Sequence, residues 1–495
     1  MHDIFFVLLC GDVCNILQHS PLFCGWQRAR ALYVSFSNFM RKRIFLSLAL
    51  FVVSLLAVSA QEVSPIAKKA NHCGTSGQTH PVDTLVVPTL PQLASDLSQT
   101  ASLDVPPAAT IDSVAVAESP AARAQRLMVA QLTQMLDDPL LTRTQLGLCI
   151  YDLTEGRMLF QHGAKQRMRP ASTMKVVSAV CGIDVLGGGY NFRTEVRADS
   201  VLASDTLRTN LYVRGTMDPL FGREHLQRFV SRLVADSVKA WRGDLVLDIS
   251  HKDTVAAGWG WCWDDDNPSL SPLLCDGSDA LVPTLRDVLR RHNITWQGGV
   301  KYGMAPTTSV SVFTQKHTLD QVLLPMMKQS DNQMAEAVFY SIAAHTGKRY
   351  AGRKAAAGLI NNVIGQKLHL QAKDYQIADG SGLSLYNYVT PELLMALLRY
   401  AYYDSRIYSH LLPSLPVMGE DGTLKKRCIG TSAHGKVQAK TGTVTGVSAL
   451  AGYAQTAHGH TLCFAIINQG VETSKTGRDF QDKVCQILTR SYECE

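Results

Sequence analysis

Three short motifs carry the residues of this 495-residue sequence that could do chemistry. They are Ser172-Thr-Met-Lys175, Ser330-Asp-Asn332 and Lys440-Thr-Gly442, in that order along the chain. Each motif alone recurs by chance in a chain of this length. Together they offer a serine nucleophile, a lysine base, a proton relay and a cation that can hold a carboxylate. The conjunction predicts an enzyme that acylates its own serine.

The first motif pairs a nucleophile with a base. Three residues apart on a helix, Ser172 and Lys175 share one face. Lys175 can take the serine proton only when it is neutral, so burial or a nearby positive charge must lower its pKa. The apolar run from Met174 to Leu186 predicts a buried helix, and Lys440 offers the second charge. The N-terminus of that helix also offers backbone N–H groups to an oxyanion.

The second motif supplies polar groups for proton transfer and substrate binding. The hydroxyl of Ser330 can relay a proton between Lys175 and the leaving amine, and Asn332 can hydrogen-bond a substrate amide. Taken alone, the motif is more typical of a polar loop before a helix at Met334.

The third motif is predicted to lie on a strand that faces the cleft. Gly442 allows a substrate backbone to approach closely. Lys440 and the hydroxyls of Thr441 and Thr443 can bind a carboxylate. The backbone N–H of Thr443, with that of Ser172, could form an oxyanion hole.

Hydrophobic periodicity predicts the elements that must position these motifs. A helix, a hairpin and the buried helix come first, short strands follow from Tyr190, and helices return from His317 before a final sheet and a closing helix. Helices between strands from both ends of the chain predict an α+β core with a mainly β insertion. The predicted catalytic domain comprises residues 121–190 and 317–495, and the inserted domain residues 191–316.

The beginning of the chain indicates export. Met40-Arg-Lys-Arg43 precedes a short apolar run, and Val58-Ser-Ala60 offers a cleavage site, so residues 40–60 are typical of a signal peptide. We therefore predict that Met40 is the true start, that residues 1–60 comprise an upstream extension and the signal, and that 61–120 form a disordered linker. A membrane anchor is the alternative. The expected location is the periplasm, with at most loose membrane association.

The charge and the cysteine and histidine positions indicate which partners and cofactors to expect. Net charge is +6, without a basic run interleaved with aromatic residues, which argues against nucleic acid. The twelve cysteines do not form a disulfide framework, although Cys262 and Cys275 are spaced for a pair across a loop. No His or Cys cluster has metal-ligand spacing, so we expect neither metal nor cofactor.

Several runs in the last two thirds of the sequence resemble one family. Residues 126–490 are similar to the low-molecular-mass class C penicillin-binding proteins, the D-Ala-D-Ala carboxypeptidase/endopeptidases of peptidase family S13. The runs that carry the resemblance are Asp379-Gly-Ser-Gly-Leu-Ser384 with Asn387 and Thr390-Pro391, Gly419-Glu-Asp-Gly-Thr-Leu424 with Arg427, Ala439-Lys-Thr-Gly-Thr443, Ala449-Leu-Ala-Gly-Tyr453 and, more weakly, Leu211-Tyr-Val-Arg-Gly-Thr-Met-Asp-Pro219.

The resemblance implies a fold of the penicillin-binding-protein and serine β-lactamase type, in which an antiparallel sheet packs against helices. It implies Ser172 as acyl acceptor and Lys175 as base, with a peptidoglycan D-Ala-D-Ala stem peptide or cross-link as substrate and β-lactams as covalent ligands. The remaining implied site residues are Ser330, Asn332, Lys440, Thr441 and Thr443.

Members of the family often carry two inserted domains, whereas this insertion has room for one. Its cluster Trp259-Gly-Trp-Cys-Trp263 is predicted to be a core or hinge contact, with a glycan platform as the alternative.

Two other classes of protein could carry these motifs. A class A serine β-lactamase would have a much shorter gap than the 155 positions between Lys175 and Ser330. A non-catalytic envelope binding protein would be expected to lose Ser172, Lys175 or Lys440, and all three are present. The motifs leave the balance between carboxypeptidase and endopeptidase activity open.

Overall fold

A computed structural model describes residues 118–200, 202 and 204–492 of the chain. The predicted upstream extension, signal peptide and most of the predicted linker, up to residue 117, lie outside the described residues. In the part that is described, no helix is long and apolar enough to cross a membrane.

The described residues contain ten α-helices and thirteen strands, besides short 3-10 turns and loops. The helices are α1 (Pro120–Gln134), α2 (Met174–Leu186), α3 (Arg223–Ala235), α4 (Leu281–Arg291), α5 (Leu319–Lys328), α6 (Asn332–Ala344), α7 (Arg353–Lys367), α8 (Pro391–Tyr403), α9 (Ser405–Ser414) and α10 (Ser474–Thr489). The strands are β1 (Gln145–Asp152), β2 (Arg157–His162), β3 (Asn191–Ala198), β4 (Thr206–Leu207), β5 (Leu211–Gly215), β6 (Ala240–Trp241), β7 (Leu245–Asp248), β8 (Thr295–Trp296), β9 (Val300–Tyr302), β10 (Val310–Thr318), β11 (Val437–Val444), β12 (Val447–Gln455) and β13 (Thr461–Gln469).

The main sheet joins strands from both ends of the described chain. Its order is β11-β12-β13-β1-β2, and every neighbouring pair is antiparallel. Helix α10 packs against β12, and α8 packs against β13. Because helices cover both faces, β12 and β13 are buried along nearly their whole length and read as continuous apolar runs.

Alternate residues of the central strand enter two different cores. Cys463, Ala465 and Ile467 of β13 belong to the core that contains α2 and α5–α9, and Phe464 and Ile466 belong to the core that contains α1 and α10. The period of two along the strand assigns each side chain to one face. The predicted α+β architecture is therefore confirmed.

Helix α2 lies at the centre of the larger core. All residues from Met174 to Ile183 are buried, and Lys175 is the one charged residue among them. Helices α5, α6, α7, α8 and α9 contact it. Because helices surround α2, it is buried on all sides, as its apolar sequence predicts.

The insertion forms a second sheet of its own, in the order β10-β3-β5-β7-β9. The first and last strands of the insertion, β3 and β10, are antiparallel neighbours, whereas β5, β7 and β9 are parallel. Parallel strands need crossover connections, and α3 and α4 lie in these connections and share the core of this sheet. The sequence analysis did not assign these two helices. A third, small parallel sheet has the order β4-β6-β8.

The described cysteines are all free thiols. Cys262 is partly exposed and Cys275 is buried. The pairing that the sequence left open is therefore not formed.

We predict that Phe464→Ala lowers the free energy of unfolding by about 3–5 kcal/mol, because Phe464 is fully buried and its truncation leaves a cavity beside β13. Urea titration followed by far-UV circular dichroism measures the change. Tyr302→Ala, at a position that is 73% exposed, is the control and should shift the midpoint little. Equal midpoints for the two variants would contradict this account of the core.

Candidate active site

Ser172 lies in a tight turn that leads directly into α2. Residues Ala171–Thr173 form one 3-10 turn, and Ala171 adopts a left-handed conformation with φ of 47°. The hydroxyl of Thr173 donates to the carbonyl of Pro170 at 2.6 Å and closes the turn. The serine is thus presented at the N-terminal end of a buried helix, where free backbone N–H groups and the helix dipole favour negative charge.

Lys175 is fully buried and makes three hydrogen bonds. Its Nζ donates to Ser172 Oγ at 3.0 Å, to Asn332 Oδ1 at 2.7 Å and to the carbonyl of Ser381 at 2.9 Å. The first two contacts join the first and second motifs. The third comes from a segment that the motif analysis did not include.

Burial lowers the pKa of Lys175 to about 8. The nearby carboxyl groups of Asp379, Glu336 and Asp331 act in the opposite direction. Burial also lowers the pKa of Lys440 well below its usual value, with the charge of Lys175 as a second cause. Burial, rather than the neighbouring lysine, is therefore the main reason why Lys175 can become neutral near neutral pH.

The second motif lies at the start of α6. Asp331 caps the helix by accepting from the backbone N–H of Met334 at 3.0 Å, which aims the next side chain, Asn332, at Lys175. Ser330 has a left-handed backbone, with φ of 64°, and is partly exposed. It is not one of the three hydrogen-bond partners of Lys175. The structure thus joins Asn332 to the pair directly and leaves Ser330 at the edge of the site.

The third motif lies on β11, the edge strand of the main sheet, whose outer edge is covered along one half. The N–H of Ala439 donates to the carbonyl of Pro416 at 3.0 Å, and the N–H of Met418 donates to the carbonyl of Val437 at 2.8 Å. The other half, beyond Lys440, runs beside the turn that holds Ser172.

Gly442 is required where β11 passes this turn. A Cβ at this position would lie 2.8 Å from the carbonyl oxygen of Pro170 and 3.0 Å from the backbone nitrogen of Thr173. The missing side chain lets the third motif approach the first. Thr443, the next residue, is exposed at the same place.

The polar side chains of β11 differ in accessibility. Lys440 is fully buried, and its Nζ donates to the carbonyl of Thr441 at 2.7 Å. The hydroxyl of Thr441 donates to the hydroxyl of Thr423 at 2.8 Å. Lys440 therefore places an amine beneath the surface, while Thr441 and Thr443 offer hydroxyl groups.

A buried segment that the motif analysis missed, Asp379–Ser384, supports the site. The carboxylate of Asp379 accepts from the backbone N–H groups of Gly382 at 2.8 Å and Ser384 at 2.7 Å. It also accepts from the side chains of Asn387 at 2.6 Å and Trp261 at 2.8 Å. A carboxylate with this many donors fixes a short loop rigidly. The run Asp379-Gly-Ser-Gly-Leu-Ser384, part of the family resemblance, was the signal that could have found it.

The tryptophan cluster of the insertion contacts this segment. Beside Trp261, the carbonyl of Trp259 accepts from the hydroxyl of Ser384 at 2.7 Å, and the Trp259 ring packs on Tyr386 at 4.8 Å between ring centres. Trp263 is 93% exposed. Trp261 and Trp259 therefore contact the segment beside Lys175, whereas Trp263 faces solvent. A hinge role for the cluster stays a prediction.

One group of metal-ligand type is found among the described residues, and it lies away from Ser172. Asp152, Glu155 and His460 bring their ligand atoms within 4.8 Å of one another. His460 Nδ1 lies 2.7 Å from Asp152 Oδ2, and Gln125 donates to the same oxygen at 2.8 Å. These hydrogen bonds account for the cluster as a link between α1 and two hairpin turns.

An antiparallel sheet whose edge strand carries Lys-Thr-Gly beside a Ser-x-x-Lys helix defines the class of penicillin-binding proteins and serine β-lactamases. The model of the D-Ala-D-Ala carboxypeptidase 3 (S13) family matches residues 128–274 and 274–491. The chain therefore belongs to this family, and the predictions of the family, of the fold and of a serine carboxypeptidase are confirmed.

Individual relatives agree with this assignment. The chain is 27% identical to the D-alanyl-D-alanine carboxypeptidase of Actinomadura sp. (strain R39), over 72% of this chain and 84% of the relative. It is similar to the crystal structure of penicillin binding protein 4 from Haemophilus influenzae, with a TM-score of 0.65, 25% identity, and coverage of 73% of this chain and 98% of the other. The structure of the same Haemophilus protein with a β-lactam has a TM-score of 0.60, 23% identity, and coverage of 73% and 99%.

We predict that Gly382→Ala slows labelling by a fluorescent penicillin at least about tenfold, since a loss of about 1.4 kcal/mol corresponds to that factor. Gly382 has φ of 88°, and a Cβ there would lie 1.9 Å from the carbonyl oxygen of Ala171, the residue before Ser172. The new methyl group must displace the turn that carries the serine. The labelling rate measures the effect, at a temperature at which thermal melting shows that the variant is folded.

Gly365→Ala is the matched control. Gly365 lies in α7 with no atom within 4 Å of the added Cβ. Alanine is also favoured over glycine in a helix. This variant should label at the wild-type rate, and a Gly382→Ala variant that does the same would contradict the proposed packing of the turn.

Proposed function

We propose that this chain cleaves the D-Ala-D-Ala end, or a D-Ala cross-link, of peptidoglycan stem peptides through an acyl-enzyme on Ser172. The observation that carries the proposal is the contact of the fully buried Lys175 Nζ with Ser172 Oγ, which is 3.0 Å long. Membership of the family supports the substrate class.

In the acylation step, neutral Lys175 removes the hydroxyl proton of Ser172. The serine oxygen attacks the carbonyl carbon of the penultimate D-Ala and forms a C–O bond, and the carbonyl π electrons move onto the oxygen. The N–H groups of Ser172 and Thr443 stabilise this oxyanion. The C–N bond then breaks, and the departing amine of the last D-Ala takes the proton that Lys175 accepted.

Ser330 is proposed to relay that proton to the leaving amine. It lies two residues before Asn332, which contacts Lys175 at 2.7 Å. Its left-handed backbone is a costly conformation for a serine, of about 1–3 kcal/mol, and such conformations concentrate at functional sites. Asn332, which lies beside the base, is also proposed to hold an amide of the substrate.

The terminal carboxylate of the substrate is proposed to bind at β11. Thr441 and Thr443 supply hydroxyl donors. Burial lowers the pKa of Lys440, and a bound carboxylate favours its protonated form, so the carboxylate and the ammonium stabilise each other. Charge–charge interactions are stronger away from bulk water, so the buried position of Lys440 increases its effect. The uncovered half of the edge strand also leaves N–H and C=O groups for the substrate backbone to add as an extra strand.

A water molecule then gives a proton to Lys175 and attacks the acyl carbonyl carbon. The C–O bond to Ser172 breaks, Lys175 returns the proton to the serine oxygen, and the shortened peptide is released with a free carboxylate. A β-lactam would acylate the same serine, because its ring amide replaces the peptide amide. Ring opening keeps the leaving nitrogen attached, which favours a long-lived adduct.

We further propose that residues 121–190 and 317–495 form the catalytic domain and that 191–316 form the inserted domain. A separate sheet and a separate apolar core within the insertion support this division. Export to the periplasm, with a signal at about residues 40–60, remains a prediction from the sequence.

We predict that Ser172→Ala abolishes the covalent adduct with a fluorescent penicillin, since the variant lacks the attacking oxygen. Ser409→Ala, an exposed serine of α9, is the matched control and should label like the wild type. Labelled protein is resolved by denaturing gel and the modified peptide by mass spectrometry. An adduct that survives in Ser172→Ala, or a wild type that does not label, would refute the acyl-enzyme.

Release of free D-Ala from a pentapeptide, compared with cleavage of a D-Ala cross-linked dimer, measures which of the two peptidase reactions dominates. Rapid turnover of penicillin by the wild type would instead indicate a β-lactamase.

We also predict that the acylation rate constant rises with pH through about 8 and becomes constant above it. Burial lowers the pKa of Lys175 to about 8, and only its neutral form accepts the serine proton. Below this value the rate should fall about tenfold for each pH unit. Stopped-flow acylation by a chromogenic β-lactam measures the profile, and a flat profile across this range would exclude Lys175 as the base.

A further inference from the structure

The buried acid Glu336 lies on α6, four residues and so about one helical turn after Asn332. It is 1% exposed, and its Oε1 accepts from the backbone N–H groups of Gly380 at 3.1 Å and Ser381 at 2.8 Å. Burying a carboxyl group is costly unless it is hydrogen-bonded or paired. Its two backbone partners belong to the segment that contacts the base.

These contacts connect Glu336 to Lys175 through a single residue. Glu336 holds the N–H of Ser381, and the carbonyl of Ser381 accepts from Lys175 Nζ at 2.9 Å. From the other side, the hydroxyl of Ser178 on α2 donates to the carbonyl of Gly380 at 2.7 Å. The Gly380–Ser381 backbone is thus held between the helix of the base and the helix of Asn332.

We propose that Glu336 is a positioning residue for Lys175, which it orients by fixing the Ser381 carbonyl. The inference rests on the proposed role of Lys175 as the base. Helix α6 then holds both of the acceptors that orient the amine, Asn332 directly and Ser381 through Glu336.

The number of hydrogens on the amine explains why two acceptors matter. A neutral lysine amine carries two hydrogens and one lone pair. When the Asn332 side chain and the Ser381 carbonyl accept both hydrogens, the lone pair points at Ser172 and can receive its proton. When one acceptor moves away, the amine can rotate and donate to Ser172, an orientation in which it cannot act as a base.

The charge of Glu336 has a second consequence. The charged groups that face Lys175 are Asp379, Glu336 and Asp331 among the acids, and Lys440 among the bases. Asp379 is held by four strong donors, whereas burial, followed by the charge of Asp379, raises the pKa of Glu336 to about 8. An ionised Glu336 stabilises the Lys175 ammonium and therefore raises the pKa of the base.

Glu336→Gln separates the role of the side chain as a hydrogen-bond acceptor from the effect of its negative charge. The amide oxygen can still accept from Gly380 and Ser381, so the maximal acylation rate at high pH should stay within about threefold of the wild type. Near and above pH 8, where the wild-type carboxyl is ionised, the negative charge is removed and the pKa of Lys175 should fall, so the pH–rate profile should reach its plateau at lower pH. Well below pH 8 the carboxyl of the wild type is protonated and neutral, like the amide, so the rate in this part of the profile should change little.

Glu336→Ala removes the acceptor as well as the charge, and should lower the maximal rate at least about tenfold. Glu155→Gln, which removes one negative charge from an exposed turn at the opposite end of the main sheet, is the control and should change neither the pH at which the plateau is reached nor the maximum. Acylation by a chromogenic β-lactam is followed by stopped flow for all variants, and thermal melting establishes that each is folded.

A folded Glu336→Gln variant that reaches its plateau at the same pH as the wild type, or one whose maximal rate collapses, would overturn the proposal. So would a folded Glu336→Ala variant with the wild-type maximum. If Glu336→Ala does not fold, Glu336→Gln alone decides. Failure of the underlying function is distinguishable, because then the wild type itself would not be acylated on Ser172 or would show a flat pH profile.

Discussion

An amine that is kept out of water is the constraint on which the rest of this structure depends. Lys175 is the single charged residue in the buried run of α2, and the apolar helices around it make the ammonium form unfavourable. A lysine in this position is tolerated because three acceptors surround its Nζ. The core that stabilises the fold thereby also lowers the pKa of Lys175 to about 8.

The remaining elements bring distant segments to that amine. Asn332 reaches it from the start of α6, and the Ser381 carbonyl reaches it from a loop whose shape depends on the carboxylate of Asp379. The insertion contributes Trp261 to the same carboxylate. Although the insertion has its own sheet and core, its tryptophan loop is part of the support of the site, so the two regions are linked at the loop that carries Ser381.

Periodicity and motif spacing predicted the elements with the strongest local signals. Helix α2 and the last three strands lie where the apolar runs place them, because each is buried on several sides. Helices α3 and α4 were missed, since they alternate with strands of only three to five residues and their amphipathic pattern was hidden among turns. Glu336 could not be recognised either, because a glutamate inside a helix is ordinarily a surface residue.

By itself, the sequence determined the chemistry: a serine and a lysine three positions apart, at the start of an apolar helix, can form an acyl-enzyme where the fold buries the amine and leaves the hydroxyl accessible. Only the tertiary structure decided which groups complete the site. It brought Asn332 and the Ser381 carbonyl within hydrogen-bonding distance of Lys175, left Ser330 at the edge of the site and buried Lys440. Hydrogen bonds between segments about 50 to 200 residues apart depend on packing geometry, which local patterns of residues do not encode.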